Sequence, residues 1–284
     1  MRIGFIGAGR VGCSLGKYLK ESAGDWQIEG YFSRSTDSAK EAAVLTDSRV
    51  IDQAGLLAQM SDVIFITTPD GAIADIWREL CDGEIPLTDK IVVHCSGLLS
   101  SAVFEGAGER GVTAASLHPF YAVSDRYHSY KMLDEALFTL EGSGERLGQL
   151  QELLEASGLT IQRIDAASKI AYHAAASVGS NLMVGLTELA IGLLLNCGFD
   201  REHARMALRP LMQGNLDAIM EKDTVDALTG PAERADKDTV YAHLQTLNGG
   251  DREIYRLLTK KLVALAKQKN PERDYEQLEA CLTR

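Results

Sequence analysis

The feature that most constrains this chain is a glycine-rich turn near the N-terminus, between an apolar run at residues 2–6 and a helix-like run that starts at residue 11. The turn consists of Gly7, Ala8, Gly9, Arg10, Val11 and Gly12. In a strand–turn–helix unit with this G-x-G-x-x-G spacing, the glycines permit a tight turn, close approach of a pyrophosphate and close packing of the helix. Free N–H groups at the helix N-terminus favour a bound phosphate. The turn therefore predicts dinucleotide binding, and the alternative is an ordinary strand–turn–helix with chance glycines.

The end of the second predicted strand indicates which dinucleotide binds. This strand covers residues 28–32, and it is followed by Ser33, Arg34, Ser35 and Thr36. A site that prefers NAD usually has Asp or Glu here to bind the ribose 2′-hydroxyl. An arginine instead binds a 2′-phosphate through two N–H groups, and the hydroxyls add further donors. We therefore expect NADP as the cofactor, with a polar loop and a solvated arginine as the alternative.

Composition excludes several classes of function. The 284 residues carry a formal net charge of −11 and a pI of about 5.1, which opposes general binding to nucleic acid or to anionic membranes. The five cysteines have no zinc-type spacing, so we expect reduced thiols in a cytoplasmic protein and no metal site. The chain enters a strand at once, which predicts no signal peptide. Polar residues interrupt the apolar stretch 174–195, and we expect a buried helix there rather than a membrane span.

Alternating strand and helix patterns in the first half of the chain predict an α/β fold with a doubly wound, mostly parallel Rossmann sheet. Strands are predicted near residues 2–6, 28–32, 62–67, 90–94, 113–117, 137–141 and 159–164, and helices near 11–22, 37–44, 53–59, 71–81, 99–108 and 144–156. From about residue 165 the pattern is helical only, with segments near 167–196 and 201–220 and after residues 236, 251 and 271. We therefore assign residues 1–164 to an NADP-binding domain and residues 165–284 to a helical domain for substrate binding and dimerisation.

Loops that follow the parallel strands are candidate ligand sites, because ligands bind at the carboxyl ends of such strands. Thr68 and Pro69 follow one strand and are predicted to contact the cofactor. Ser96 and Gly97 follow another and are predicted to approach the nicotinamide carboxamide. A nucleophilic Cys95 activated by the preceding histidine is the alternative. Adjacent strand residues point to opposite faces, however, so we do not expect such a pair.

A polar stripe on the first helix of the second domain predicts the substrate side of the site. At about 100° per residue, Lys169, His173, Ser177 and Ser180 fall within one quadrant, with Asn181 beside it. Polar side chains on a buried helix need water, ligand or other partners. We predict that Lys169 is the electrophilic donor and that His173 donates or relays a proton. Asn181 would orient the substrate and Ser177 would contact it, and a solvent-facing start to the helix is the alternative.

Two further residues are candidates for substrate contact. His118 lies at a strand end in the segment 117–120, where it can face the nicotinamide or the substrate. Arg234 lies in a loop that a Gly-Pro pair stiffens, and its guanidinium suits a substrate carboxylate or phosphate. The alternatives are a turn histidine bonded to the backbone and a surface ion pair between Arg234 and Asp236.

The order of these motifs resembles the 6-phosphogluconate dehydrogenase-like superfamily, which includes β-hydroxyacid dehydrogenases, ketopantoate reductase, pyrroline-5-carboxylate reductase and prephenate dehydrogenase. The matching motifs are the turn at residues 7–12, the segments 67–70 and 94–97, and the later Lys169-x-x-x-His173. In β-hydroxyacid dehydrogenases and ketopantoate reductases the last position is commonly Asn, so His173 departs from their pattern. The segment 117–120 is similar to the His-Pro turn of prephenate dehydrogenases.

Over nearly its whole length the chain is similar to a bacterial family with a Rossmann-like NADP oxidoreductase domain and a helical C-terminal domain of unknown function. The segments 169–181 and 229–236 carry this likeness. The resemblance does not identify a substrate, and it implies a homodimer formed through the helical domain. The leading hypothesis is an NADP-dependent oxidoreductase that transfers hydride to or from a small keto, hydroxy or imino acid. The alternatives are a non-catalytic NADP-binding regulator or sensor, and a reductase that uses a deazaflavin.

Overall fold

The protein, described here by a computed structural model that covers residues 1–83 and 85–283, divides into two units, Met1–Gly179 and Ser180–Arg284. The first unit contains the sheet and also the first helix after it, so this division lies later than the predicted boundary after residue 164. The reason is Lys169, the first residue of that helix, which is buried and bonded to groups at the strand ends.

An eight-stranded sheet dominates the first unit. Its strands are β1 (Arg2–Ile6), β2 (Gln27–Phe32), β3 (Arg49–Val50), β4 (Val63–Ile66), β5 (Ile91–His94), β6 (Thr113–Pro119), β7 (Leu137–Ser143) and β8 (Thr160–Arg163). They lie in the order β3-β2-β1-β4-β5-β6-β7-β8, and each neighbouring pair is parallel except β6 with β7. The predicted α/β class with a mostly parallel, doubly wound sheet is therefore confirmed.

Helices cover both faces of this sheet. They are α1 (Arg10–Glu21), α2 (Thr36–Thr46), α3 (Ala54–Met60), α4 (Asp70–Asp82), α5 (Leu147–Ala156) and α6 (Lys169–Gly179). Alternate residues of a strand point to opposite faces, so Phe65 of β4 joins one buried cluster while its neighbour Ile64 joins the other. Phe5 stacks between Tyr31 and Phe65, with ring centroids 5.0 and 5.2 Å apart. Two apolar layers explain why the central strands are apolar at successive positions.

The prediction of a helix over residues 99–108 is wrong. This segment instead contains the 3₁₀ turn Ser101–Val103 and leads into a second, Gly108–Arg110. The buried Glu141 carboxylate accepts hydrogen bonds from the Ser101 N–H and Oγ–H, at 2.6 and 2.8 Å, and so holds the first turn. The sequence pattern also missed β3, which is only two residues long and shows no periodicity.

The single helix predicted over residues 167–196 is divided in two. After α6 the chain breaks at Ser180 (φ −125°, ψ −78°), and α7 (Asn181–Asn196) then begins the second unit. The Gly-Ser pair at residues 179–180 explains the break, because both residue types are weak helix formers. The predicted stripe along one continuous helix therefore reaches only as far as Ser177.

The apolar stretch that we predict to be buried is largely exposed in a single copy of the chain. By length and composition the run Ala166–Asn196 could cross a membrane, with a mean hydropathy of 1.6, yet only 6% of its most apolar window is buried. Lys169 is the buried residue of α6, and Ile191 is that of α7. Ile170 and Val184 are more than 70% exposed. Apolar composition favoured burial, but it does not say which surface covers a helix.

The second unit is all-helical. Its helices are α7, α8 (Arg201–Ala227), α9 (Lys237–Thr246), α10 (Gly249–Lys269) and α11 (Glu276–Cys281). The helix α8 is kinked at Asp223, where φ is +73°. Asp236 caps α9, because its carboxylate accepts hydrogen bonds from the Thr239 N–H and Oγ–H at 3.0 and 2.7 Å. A small core of Val240, Val263 and Leu278 joins the last three helices.

Substitution of Gly12 by Ala is expected to destabilise the first unit. A Cβ at this position would lie 2.6 Å from the Gly7 carbonyl oxygen and closer still to Thr67 Oγ1. Overpacking of this kind costs about 1–3 kcal/mol, and urea denaturation measures the loss. Gly148→Ala is the matched control, since nothing lies within 4 Å of its Cβ, and this helical substitution should add about 0.5–1 kcal/mol. Equal effects of the two substitutions would contradict the packing described here.

Candidate functional site

The glycine-rich turn lies at the carboxyl ends of the strands, between β2 and β4, where the strand order reverses. Gly7 follows β1, and its N–H donates to the Phe32 carbonyl at the end of β2, at 2.8 Å. On the other side, Thr67 follows β4 and donates its Oγ1–H to the Gly7 carbonyl, also at 2.8 Å. Gly7 needs a positive φ of 112° to make both contacts. The turn is therefore fixed from both neighbouring strands, at the position where such sheets bind ligands.

Gly9 differs from the other two glycines of the motif. Gly7 and Gly12 are enclosed by protein atoms, but the nearest atom to a Cβ on Gly9 would be the Thr67 carbonyl oxygen, at 4.0 Å. The protein's own packing therefore does not require a glycine at this position. A missing side chain over open space leaves room for a ligand to approach the backbone.

The helix α1 starts directly beyond this open space. Gly9 is its N-cap and provides no side chain to bind the first N–H groups, and Arg10 is exposed beside it. The cavity in front of the helix is lined by Gly7, Ala8, Gly9, Ser33, Arg34, Thr67, Thr68 and Pro69, among others. The Thr68 hydroxyl is buried and has no hydrogen-bond partner in residues 1–83 and 85–283. The open glycine, the uncapped helix and this unpaired hydroxyl fit a dinucleotide.

The residues predicted to bind the 2′-phosphate lie on the β2 side of the same cavity. Arg34 is exposed, and its side chain has no hydrogen bond or ion pair to the described part of the chain. Ser33 lines the cavity. Ser35 instead caps α2, accepting a hydrogen bond from the Ser38 N–H at 3.2 Å. The N-terminus of a second helix therefore lies beside Arg34, and both features favour an anion.

Arg126 supports the glycine-rich turn and was missed in the sequence. Its Nη2 donates to the carbonyl oxygens of Ala8 and Ser38, at 2.6 and 2.7 Å, and its Nη1 pairs with Glu41. One guanidinium thus ties the turn to α2. It comes from a long irregular segment between β6 and β7, where periodicity gives no signal, and it contacts positions more than 80 residues away.

A second cluster forms at the ends of β5 and β6. Ser96 Oγ donates to Asp70 at 2.7 Å and accepts from the N–H groups of Leu98 and Leu99. The buried His94 also shapes this loop, since its Nδ1 accepts from the Ser96 N–H and its Nε2 lies 3.1 Å from the Ser100 carbonyl. Acceptance at Nδ1 places the hydrogen on Nε2, so both ring nitrogens are satisfied in the neutral form.

Lys169 is held beneath this loop. Its Nζ donates to the Ser96 carbonyl at 2.8 Å and to Ser116 Oγ at 2.7 Å, and the residue is 1% exposed. Burial lowers the pKa of Lys169, and the carboxylates of Glu141 and Asp70 partly offset the fall. The ammonium therefore faces the protein in this arrangement, and its bonds fix the backbone before Gly97.

Two predicted histidines meet at Gly97. A Cβ on Gly97 would stand 2.8 Å from His118 Nε2 and equally 2.8 Å from His173 Nδ1. The two imidazoles therefore pack so closely against Gly97 that no side chain fits there, and the ring centroids are 6.4 Å apart. The second nitrogen of His118, Nδ1, lies 2.7 Å from the hydroxyl of Tyr172, a residue that sequence reasoning missed. The cluster combines two imidazoles and a phenol, which can hold and move protons.

Burial sets the charge states of His118, His94 and Cys95. It lowers the pKa of His118 to about 4, with Lys169 and His173 adding to the effect, and it lowers the pKa of His94 to about 4 as well. Burial also raises the pKa of the Cys95 thiol to about 12, so the thiolate that a nucleophile requires does not form near neutral pH. His118 and His94 are therefore neutral at pH 7.

The remaining predicted residues lie elsewhere. Ser177 is on α6, two turns beyond Lys169. Asn181 and Arg234 belong to the second unit, where Asn181 is exposed and accepts a hydrogen bond from Ser180 Oγ at 3.1 Å. Arg234 is exposed and forms no ion pair among the residues that the structure covers. Asp236, which the alternative interpretation paired with Arg234, caps α9 instead.

The unfolding free energy should fall as the pH is lowered from about 6.5 to 4. The fully buried His94 stays neutral in the folded state down to pH 4, whereas its unfolded counterpart takes up a proton near pH 6.5. The unfolded state therefore binds more protons in this window, which removes about 3 kcal/mol. Urea denaturation at several pH values measures the slope. His94→Asn should reduce this slope, so an unchanged slope in His94→Asn would refute the assignment.

Comparison with known proteins agrees with this architecture. Residues 1–119 match the model of the Rossmann-like domain, and residues 136–262 match that of DUF2520, a domain of unknown function. The two matches follow one another along the chain in the order that the resemblance implied. No curated protein matches it.

Solved structures resemble the whole chain. A protein from Thermotoga maritima is 27% identical with a TM-score of 0.74, covering 94% of this chain and 99% of its own. A candidate NADP oxidoreductase from Bacteroides fragilis is 22% identical with a TM-score of 0.71, covering 93% and 98%. An imine reductase from Myxococcus stipitatus, in complex with NADP⁺, is 17% identical with a TM-score of 0.62, covering 100% of both chains. Oxidoreductases of this fold are thus the structural neighbours of the chain.

Proposed function

We propose that this protein is an NADP-dependent oxidoreductase that transfers hydride between NADPH and the C=O or C=N group of a small keto, hydroxy or imino acid. One observation carries the proposal. Within a single unit, a cradle that fits a dinucleotide lies at the ends of β1 and β4, and a cluster of proton-bearing side chains lies at the ends of the adjacent strands β5 and β6. A binding protein needs the first feature and has no use for the second.

The choice of NADP rests on Arg34. The fold itself accepts either cofactor, since selection is made by the residues after β2. Two carboxylates, Asp75 and Glu79, also line the cavity, and their charge repels a phosphate. The unpaired guanidinium of Arg34 is therefore the group that favours a 2′-phosphate there. Ser33 adds a hydroxyl on the same side.

The residues of this chain have distinct tasks in the proposed reaction. Bound NADPH supplies the hydride, and the protein supplies orientation and protons. Lys169 bonds the Ser96 carbonyl and Asp70 bonds the Ser96 hydroxyl, so together they hold Gly97 against the two imidazoles. His118 Nε2 and His173 Nδ1 both lie beside Gly97, and His118 would give the oxygen or nitrogen of the substrate its proton.

We extend the proposal to the assembly and the cellular location. The exposed apolar side chains of α7, with Leu182, Val184 and Leu186 all more than 45% exposed, support a homodimer formed through the helical unit. The acidic composition and the free cysteines support a cytoplasmic enzyme with a small-molecule substrate.

Arg34→Ala should weaken NADPH binding by about 10–100-fold and change NADH binding by less than twofold, because only NADPH carries the 2′-phosphate that loses its charged hydrogen bonds. Titration of the fluorescence of each reduced cofactor measures both dissociation constants. Arg110→Ala, which removes an exposed arginine elsewhere in the first unit, should leave both unchanged. Equal weakening of NADPH and NADH by Arg34→Ala would show that Arg34 does not select the cofactor.

His118→Asn should lower kcat by about 10²–10⁴-fold while NADPH binding stays within twofold, because a proton path is lost and the cradle is not. Oxidation of NADPH at 340 nm, with a panel of α-keto acids and cyclic imino acids, measures the activity. His128→Asn is the control at an exposed position. Tight binding of NADPH by a wild type that reduces no member of the panel would favour the non-catalytic regulator instead.

A further inference from the structure

Tyr172 makes a hydrogen bond to His118 that the reaction described above does not use. Its hydroxyl lies 2.7 Å from His118 Nδ1, and the two rings meet edge to face with centroids 5.6 Å apart. The tyrosine comes from α6 and the histidine from β6, so the bond joins the helix to a strand end within the first unit. The other nitrogen of His118, Nε2, lies beside Gly97. The imidazole therefore stands between the phenol and Gly97.

We propose that Tyr172 supplies, through His118, the proton that the substrate takes up after hydride transfer. The proposal rests on the oxidoreductase function given above, and it makes Tyr172 the source of the proton and His118 the group that delivers it.

The charge state of His118 explains why a second group is needed. A neutral imidazole carries a single N–H and has an acceptor lone pair on the other nitrogen. It can release the proton at Nε2 only as another arrives at Nδ1, because the alternative is the strongly basic imidazolate. His118 is neutral at pH 7, since burial lowers its pKa to about 4. The Tyr172 hydroxyl is the group bonded to Nδ1.

One neighbour favours the tyrosine as a proton donor. Burial raises the pKa of Tyr172, so the hydroxyl keeps its proton until the reaction. The Lys169 ammonium stands 5.9 Å from the centroid of the Tyr172 ring and stabilises a negative charge there. The ammonium therefore favours the phenolate that proton release leaves.

The step conserves atoms and charge. When hydride has reached the substrate carbon, the electron pair of the C=O or C=N bond passes to the oxygen or nitrogen. That atom forms a bond to the hydrogen of His118 Nε2, while Nδ1 takes the proton of Tyr172. The imidazole remains neutral with its hydrogen on Nδ1, beside the phenolate. A proton from solvent then binds at Nε2 while Nδ1 returns its proton to Tyr172, which restores both groups.

The tautomer of His118 tests the path without a substrate or turnover. In the complex with NADP⁺, protein labelled with ¹⁵N at histidine gives one pattern of two-bond couplings for each ring, and His118→Asn identifies the His118 signals. The proposal requires the hydrogen on Nε2 and an accepting Nδ1 at pH 7. A hydrogen on Nδ1 would overturn it, because the imidazole would then donate to the tyrosine.

Turnover tests whether the path is used. With a substrate found in the panel of keto and imino acids, Tyr172→Phe should lower kcat by about 10–100-fold and leave NADPH binding within twofold. In mixtures of H₂O and D₂O, kcat of the wild type should depend on the deuterium fraction with the curvature of two moving protons, and that of Tyr172→Phe should be linear. Tyr121→Phe, at an exposed tyrosine, is the control and should match the wild type in both measurements.

The outcomes separate this proposal from the function on which it rests. Loss of kcat and of curvature in Tyr172→Phe, with the hydrogen on Nε2 in the wild type, supports the path. A kcat within twofold of the wild type overturns the path and leaves the oxidoreductase intact. A wild type that reduces no keto or imino acid overturns the function and the path together.

Discussion

The buried ammonium of Lys169 is the interaction on which the candidate site depends. Removal of a charged group from water costs several kcal/mol unless hydrogen bonds replace the lost solvent. Here the replacements are the Ser96 carbonyl and the Ser116 hydroxyl, which lie at the ends of two neighbouring strands. The lysine can satisfy both only if α6 starts directly above these strand ends. The same placement brings Tyr172 and His173, on the next turn of the helix, to the histidine of β6.

Local and long-range information explain which parts of the site could be predicted from the sequence. The turn at residues 7–12 was predictable, because its glycine spacing and the flanking elements are all within about 15 residues. The 3.6-residue period also predicted that Lys169 and His173 share one side of a helix. It gave an angle around the helix axis and could not tell that Lys169 would face protein. Tyr172 was missed because its partner lies 54 residues away, and a tyrosine beside apolar residues is usual in a core.

The errors in the fold have a similar origin. The segment 99–108 has helical composition, yet the buried carboxylate of Glu141, forty residues further on, binds Ser101 and fixes a 3₁₀ turn. Arg126 likewise ties the glycine-rich turn to α2 from a segment without periodicity. In both cases a single polar side chain determines the local backbone, because a buried polar group must be paired wherever its partner lies in the sequence. Periodicity reports apolar burial and is silent on such pairs.

Lys169 influences both the charge state of His118 and the placement of α6 in this site. The lysine that draws α6 onto the strand ends also places a positive charge near His118, which adds to burial in keeping that imidazole neutral. A neutral imidazole relays a proton but does not hold a spare one, so a site built on a buried lysine needs a further donor beyond the histidine. The helix turn that begins with Lys169 provides this donor at the third following residue, where Tyr172 bonds to His118 Nδ1. The buried lysine thus sets the geometry of the cluster, and burial of His118, with the lysine's charge, sets the direction in which protons move through it.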